Sequence, residues 1–370
     1  MGYTEKVGSV SLSRKGGFFD SVPSVMALCE AGATVRYTTD GSTPTETSDV
    51  LEGLVPMKEG VNTIRVRAFR EGALPSDTVT QTYFVNVARG LPVVSLVTDR
   101  KYTYDKSTGI LTTGFGETPN YFKNWEYPIN VEYYDEDKQQ VIDQLCTFRV
   151  TGATSRKFGQ KAITLFARGA LGSSTFDFNP FSNREGVTSY KALTLRAGGS
   201  ECNKTHFKDA LLTSLAAGEN IFYQEAVTCL VYVNGEFYGI CNLRERVNKD
   251  SLAAYEGVTD EETIAHCTII KGRTGVQNGS LTEWQNLIYY MKTHSMKDEE
   301  CLKYVTDRMD VDSYFTNVAF QILTGNNDIG NQRFYKFEGG KWRWVIYDLD
   351  CGMQQTGRYP LGAFTQSISA

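Results

Sequence analysis

The chain has 370 residues, 41% hydrophobic and 12% aromatic, enough apolar material for two or three cores at roughly 100–200 residues per domain. Charged residues make up 22% and the formal net charge is -5, with Lys and Arg scattered apart from short groups such as Ser155–Lys161, so a nucleic-acid partner is not expected. No apolar run approaches the length of about 18 residues that a membrane-spanning helix needs, and the opening MGYTEKVGSV lacks the apolar stretch of a signal peptide.

Residues 1–89 read as β structure. ATVRYTTDG and NTIRVRAFREG alternate polar and apolar residues, as half-buried strands do, and VTQTYFVNV (Val79–Val87) supplies a last strand. TDGSTPTETS (Thr39–Ser48) is a loop of turn formers. Short strands separated by turn signals predict a small β-sandwich. ATVRYTTDGSTPTETS followed by VNTIRVRAFREGALPSDTVTQTYFV resembles the chitobiase/β-hexosaminidase C-terminal-type domain over about Val10–Val87. That resemblance implies an Ig-like module of the kind appended to secreted or surface proteins. No catalytic constellation is visible in it, so a spacer, or a binder of surface glycan or protein, is expected.

RGLP before LPVVSLVT marks a boundary, and residues 90–370 form the second domain. LPVVSLVT is a buried-strand run. YPINVEYYDEDKQQVIDQLCTFRVTG predicts two strands joined by a charged turn at Asp135–Lys138, and QKAITLFAR and SYKALTLRAGG are further strands. KTHFKDALLTSLAAGE (Lys204–Glu219) spaces Phe207, Leu211, Leu212 and Leu215 as a helix does. AVTCLVYVNGEFYGICNLRERV (Ala226–Val247) is a hairpin turning at Asn234-Gly235, a favoured type I′ pair. LTEWQNLIYYMKTH and DVDSYFTNVAFQILTG are helical, the latter capped by Asp310 or Asp312. A β-rich lobe over about 90–247 followed by a helical lobe over about 248–370 is the layout of an α+β, protein-kinase-like fold. The eight cysteines, from Cys29 to Cys351, contain no CxxC pair and there are three histidines, so zinc is not expected; free buried thiols are, with one or two disulfides as the alternative.

The chemistry concentrates in TGNNDIGNQRFYKFEGGKWRWVIYDLDCG (Thr324–Gly352). Phosphoryl transfer asks a protein for a metal-holding acid and a group beside the nucleophile. Here a loop offers Asp328 and Asn331, a strand pair turns at Gly339-Gly340, and DLD then offers Asp348 and Asp350. Two carboxylates around Leu349 suit magnesium, which prefers oxygen ligands, better than an ordinary strand end. Trp342 and Trp344 share one strand face, where core packing or stacking on adenine would use them.

VYVNGEFYGICNLRERVN, QILTGNNDIGNQRFYK and GKWRWVIYDLDCG, with GILTTG (Gly109–Gly114), Asn124-Trp125 and QKAITLFAR, resemble the spore coat protein H (CotH) kinase-like family over about Leu91–Met353. The resemblance implies an atypical kinase that binds ATP with Mg2+ or Mn2+ and transfers the γ-phosphoryl to Ser or Thr of surface or secreted proteins, outside the cytoplasm. It implies that Asp328 is the catalytic-loop acid, that Asp348 is the principal metal ligand with a catalytic role, and that Asn331 and Asp350 assist with the metal. Lys161 fits the family's strand lysine, for the phosphates or as a surface lysine. Arg196 is expected to pair with Asp209 or Glu219, in kinase fashion or as a structural pair. Arg244 and Glu245 are read as crossover residues near the nucleotide, or as a solvated charge run, and Trp342 as an adenine contact or core. The chain ends at Ala370, eighteen residues after Gly352, where family members continue, so a shortened helical lobe is expected. Competing readings are an adhesion or coat-assembly module on the same fold, and a nucleotidyl transferase.

Overall fold

The computed structural model describes residues 5–353 apart from Arg89 and Asn327. Two compact units emerge, one of Met1–Pro180, Lys191–Ala197 and Val227–Leu243, the other of Phe181–Tyr190, Gly198–Ala226 and Arg244–Ala370.

The first unit begins with a four-stranded sheet in the order Gly17–Phe19, Val79–Val85, Gly60–Phe69, Thr34–Thr38, beside a two-stranded sheet of Ser11–Leu12 and Ala27–Leu28. Val7, Val10, Val25, Val35, Ile64, Val66 and Tyr83 pack between them, as a small sandwich requires. The strand Gly60–Phe69 departs from simple alternation, because Arg65 on its polar face is also buried. Its guanidinium donates to the Gly41 carbonyl at 2.9 Å, while Asp99 accepts from the Thr43 amide at 2.6 Å, so the Thr39–Ser48 loop is tied down at both points.

The same unit contains a closed seven-stranded barrel in the order Ala162–Phe166, Ala192–Arg196, Glu236–Glu245, Ala226–Val233, Val93–Val97, Tyr127–Tyr134, Gln140–Thr151. Val93–Val97 is buried throughout and runs parallel to Ala226–Val233, with Leu230 opposite Val93. The hairpin turn has positive φ at both Asn234 (50°) and Gly235 (79°), as a type I′ turn demands. A polar cluster joins sheet to barrel: the Thr82 amide and Gln140 Nε2 each donate to Glu132 Oε1 at 3.0 Å, and the Thr82 hydroxyl shares a hydrogen bond with Glu132 Oε2.

The second unit, where the sequence pattern reads mainly helical, is built on a five-stranded mixed sheet: Phe222–Tyr223, Arg343–Ile346, Arg333–Lys336, Thr268–Lys271, Gly275–Asn278. Period-two alternation divides its side chains. Phe334, Trp344 and Ile346 enter one core with Leu212, Leu287, Phe320 and Leu349, whereas Tyr335 and Val345 enter another with Phe222, Leu252 and Ile269. Helices Lys208–Ser214, Lys249–Glu256, Thr282–Thr293, Glu299–Thr306 and Val311–Thr324 supply the covering layers. Asp310 caps the last of these through the Ser313 amide, and Gly325 ends it at φ 59°. All eight cysteines are free, five of them buried. Among the described residues no helix is long and apolar enough to cross a membrane.

Candidate functional site

The acids that bracket the Arg333–Ile346 strand pair converge within the second unit. Asn331 Nδ2 donates to Asp328 Oδ2 at 2.6 Å and to Asp348 Oδ2 at 2.7 Å, so one amide bridges two carboxylates. The strand pair produces this convergence: Arg333 faces Val345 in antiparallel register, returning the chain to the place where the Asp328 loop left it. Burial lifts the Asp328 carboxyl above its ordinary value, and the like charges of Asp348 and Asp350 add to the lift. A carboxyl made harder to ionise by neighbouring acids is what a cation would relieve, and carboxylate oxygens are the donor type magnesium takes. The residues present therefore fit a divalent metal. The Asn331 amide nitrogen faces the carboxylates here, so Asn331 enters as their bridge. Among the described residues no three of His, Cys, Asp and Glu gather as a metal-holding group. A magnesium site of one or two carboxylates completed by phosphate oxygens needs no such trio.

The Asp328 loop hangs from a series of amides. Asn317 Nδ2 donates to Gln332 Oε1 (3.2 Å), Gln321 Nε2 to Asn317 Oδ1 (3.3 Å), Asn326 Nδ2 to Gln321 Oε1 (2.7 Å), and the Asp328 amide to Asn326 Oδ1 (3.2 Å). Asn317, Gln321 and Asn326 are buried, so each needs these partners. Asn317 and Gln321, four apart on the inward face of an apolar helix, were the sequence signal that this helix does more than pack.

Asp348 has φ 61°, a left-handed conformation that costs a non-glycine residue about 1 kcal/mol. The turn after it is held by Leu349, whose side chain is fully buried, and by a Gly352 amide to Leu349 carbonyl bond of 2.8 Å. Gly352 is tightly surrounded: a Cβ there would lie 2.9 Å from Leu212 Cδ1 and 3.0 Å from the Leu349 carbonyl oxygen, so these neighbours would have to give. Asp350 is buried and accepts from the Ser200 amide at 2.7 Å.

The surroundings of the other expected residues differ from one to the next. Trp342 is 2% exposed, with its ring 5.5 Å from Trp284 and 5.6 Å from Phe334, so it is core and presents no face to a base. Glu245 and Arg244 are no solvated charge run. Glu245 is buried against Arg184, whose Nε lies 3.0 Å from one carboxylate oxygen and 3.1 Å from the other; burial still raises the Glu245 carboxyl above its ordinary value. Arg244 donates to Asp209 at 2.6 Å and to Gln224 at 3.1 Å. Arg184, which the sequence reading passed over, also lies 5.1 Å from the Phe222 ring. Lys161 and Arg196 belong to the first unit. Lys161 Nζ donates to the Phe158 carbonyl at 2.8 Å, 4.6 Å from the Tyr121 ring, and burial lowers its pKa.

No curated protein matches the chain. A family model described as Fn3 associated matches residues 26–83, in keeping with an Ig-like-type domain at the N-terminus. A model described as CotH kinase protein matches residues 148–368, more than half of the 370. The chain belongs to the CotH kinase protein family.

Proposed function

We propose that this chain is a metal-dependent phosphotransferase that moves the γ-phosphoryl of ATP to Ser or Thr of surface or secreted proteins, on an atypical kinase-like fold. On this reading residues 1–89 are an accessory sandwich, and residues 90–370 the catalytic domain with lobes over about 90–247 and 248–370. The observation that carries it is the Asn331 bridge between Asp328 and Asp348. Asp348, supported by Asp350, would hold Mg2+ or Mn2+, and Asn331 keeps the pair of acids in register. The metal, when bound, neutralises charge on the triphosphate. Asp328, its carboxyl raised first by burial, is the better proton acceptor for it and orients the incoming hydroxyl. Family membership supports a kinase-like activity and, with it, ATP and a protein acceptor.

A second reading, a surface-binding module, is favoured by one observation. An open groove of about 680 Å³ on the N-terminal sandwich is lined by Tyr37, Asp40, Asp49, Lys58 and Asn62, among others, a mixed polar and apolar set of the kind that takes glycan or peptide. Mass spectrometry of the chain and of added Ser/Thr protein after incubation with ATP and Mg2+ separates the readings. A phosphoryl increment that Asp348→Ala abolishes is expected. A nucleotidyl increment would move the assignment to nucleotidyl transfer, and no increment on either protein would favour the binding module.

A further inference from the structure

Asp209 stands at the start of helix Lys208–Ser214 and is 3% exposed. Each of its carboxylate oxygens is engaged. Oδ2 accepts from Arg244 at 2.6 Å, and Oδ1 accepts from the Leu349 amide at 2.6 Å. Leu349 is the residue between Asp348 and Asp350, and the peptide unit grasped by Asp209 follows directly on the left-handed Asp348. A residue held in that conformation needs neighbours that over-determine it. Arg244, itself fully buried, fixes the Asp209 carboxylate, with Gln224 Oε1 taking a second bond from the same guanidinium nitrogen.

We propose that Asp209 is a positioning residue for the metal–nucleotide site: it clamps the Leu349 amide and so holds Asp348 where its carboxylate meets Asn331. The inference rests on the phosphotransferase reading. In this role Asp209 acts through the backbone of the turn. Removing Asp209 alone would take a carboxylate from a buried guanidinium, so charge and clamp must be separated. Asp209→Leu with Arg244→Met removes the ion pair and the acceptor for Leu349. Asp209→Asn with Arg244→Met removes the same charges and keeps an acceptor oxygen at the same reach.

The test is titration of the full chain with Mn2+ in the presence of ATP, followed by electron paramagnetic resonance, with circular dichroism confirming folding. Wild type should bind and Asp348→Ala should not. The Leu/Met pair should bind Mn2+ about 10- to 100-fold more weakly, the usual range when a residue that orients a metal ligand is lost, while the Asn/Met pair stays within about threefold of wild type. Should the Leu/Met chain fail to fold, Asp209→Ser with Arg244→Met, too short to reach Leu349, replaces it under the same expectation. Equal weakening in both paired variants, or none in either, overturns the clamp while leaving the phosphotransferase reading intact. Absence of Mn2+ binding by wild type overturns the reading, and the clamp with it.

Discussion

Glu132 gives the first unit a stability that depends on pH in an unusual direction. It is fully enclosed between the Val79–Val85 strand and the barrel, and burial, with Asp143 nearby adding like charge, pushes its carboxyl from an ordinary 4.5 to about 8. Both N–H donors, from Thr82 and Gln140, fall on Oε1, which leaves Oε2 able to carry a proton toward the Thr82 hydroxyl. Because the folded pKa exceeds the unfolded one, the folded state binds the extra proton between them. The contribution is complete below about pH 4.5 and is lost as pH rises through about 8. Within that window the free energy falls by about 1.4 kcal/mol per pH unit, so on the order of 3 kcal/mol disappears between about pH 5.5 and 7.5. Glu132→Gln keeps the shape and removes the titration. Hydrogen exchange of Val79–Val85 and Tyr127–Tyr134 amides, corrected for intrinsic rates, reads the local opening energy in both proteins. Tyr134, raised well above its ordinary value by burial and then by Glu132 itself, keeps its proton across this window in both proteins, and Asp143, raised by burial, is present in both. Wild type should lose protection steeply relative to Glu132→Gln over this range. Parallel profiles would refute the claim that Glu132 is held neutral.

Two further outcomes concern the second unit. Arg184→Met should destabilise it by about 3–5 kcal/mol, since Glu245 is left buried without its partner, whereas Arg184→Met with Glu245→Leu should return most of that loss; urea unfolding followed by tryptophan fluorescence measures both. Trp284, Trp342 and Trp344 all report from the affected unit. Because Asp348 sits at φ 61°, Asp348→Gly should be about 1 kcal/mol more stable than Asp348→Ala although both lack the carboxylate; equal stabilities would show that the turn relaxes rather than bearing strain.

What could be read beforehand was local. The Asn234-Gly235 turn, the Asp310 cap, the Arg333–Ile346 strand pair and the acids at its ends follow from residue type and spacing within a few positions. Long-range choices were out of reach. Nothing in LPVVSLVT says that it will lie parallel to a strand more than 130 residues later and help close a barrel. Arg244 and Glu245 were open between crossover residues near the nucleotide and a solvated charge run, because spacing alone does not say what a charge meets; each has a buried partner, Asp209 and Arg184, from a separate segment. Trp342 was open between core and adenine because both use the same flat apolar ring; only the positions of Trp284 and Phe334 decide it. The grip of Asp209 on Leu349 was invisible for a simpler reason: the acceptor is a side chain and the donor is backbone, which carries no sequence signal.

The central claim is that Asp328, Asn331 and Asp348 form a metal-dependent nucleotide site. Calorimetric titration of ATP into the full chain tests it in three conditions: with excess Mg2+, with EDTA, and with Mg2+ in Asp348→Ala. Saturable binding in the first condition and its loss in the other two is the predicted result. Equal affinity in all three, or no binding in any, would contradict the account.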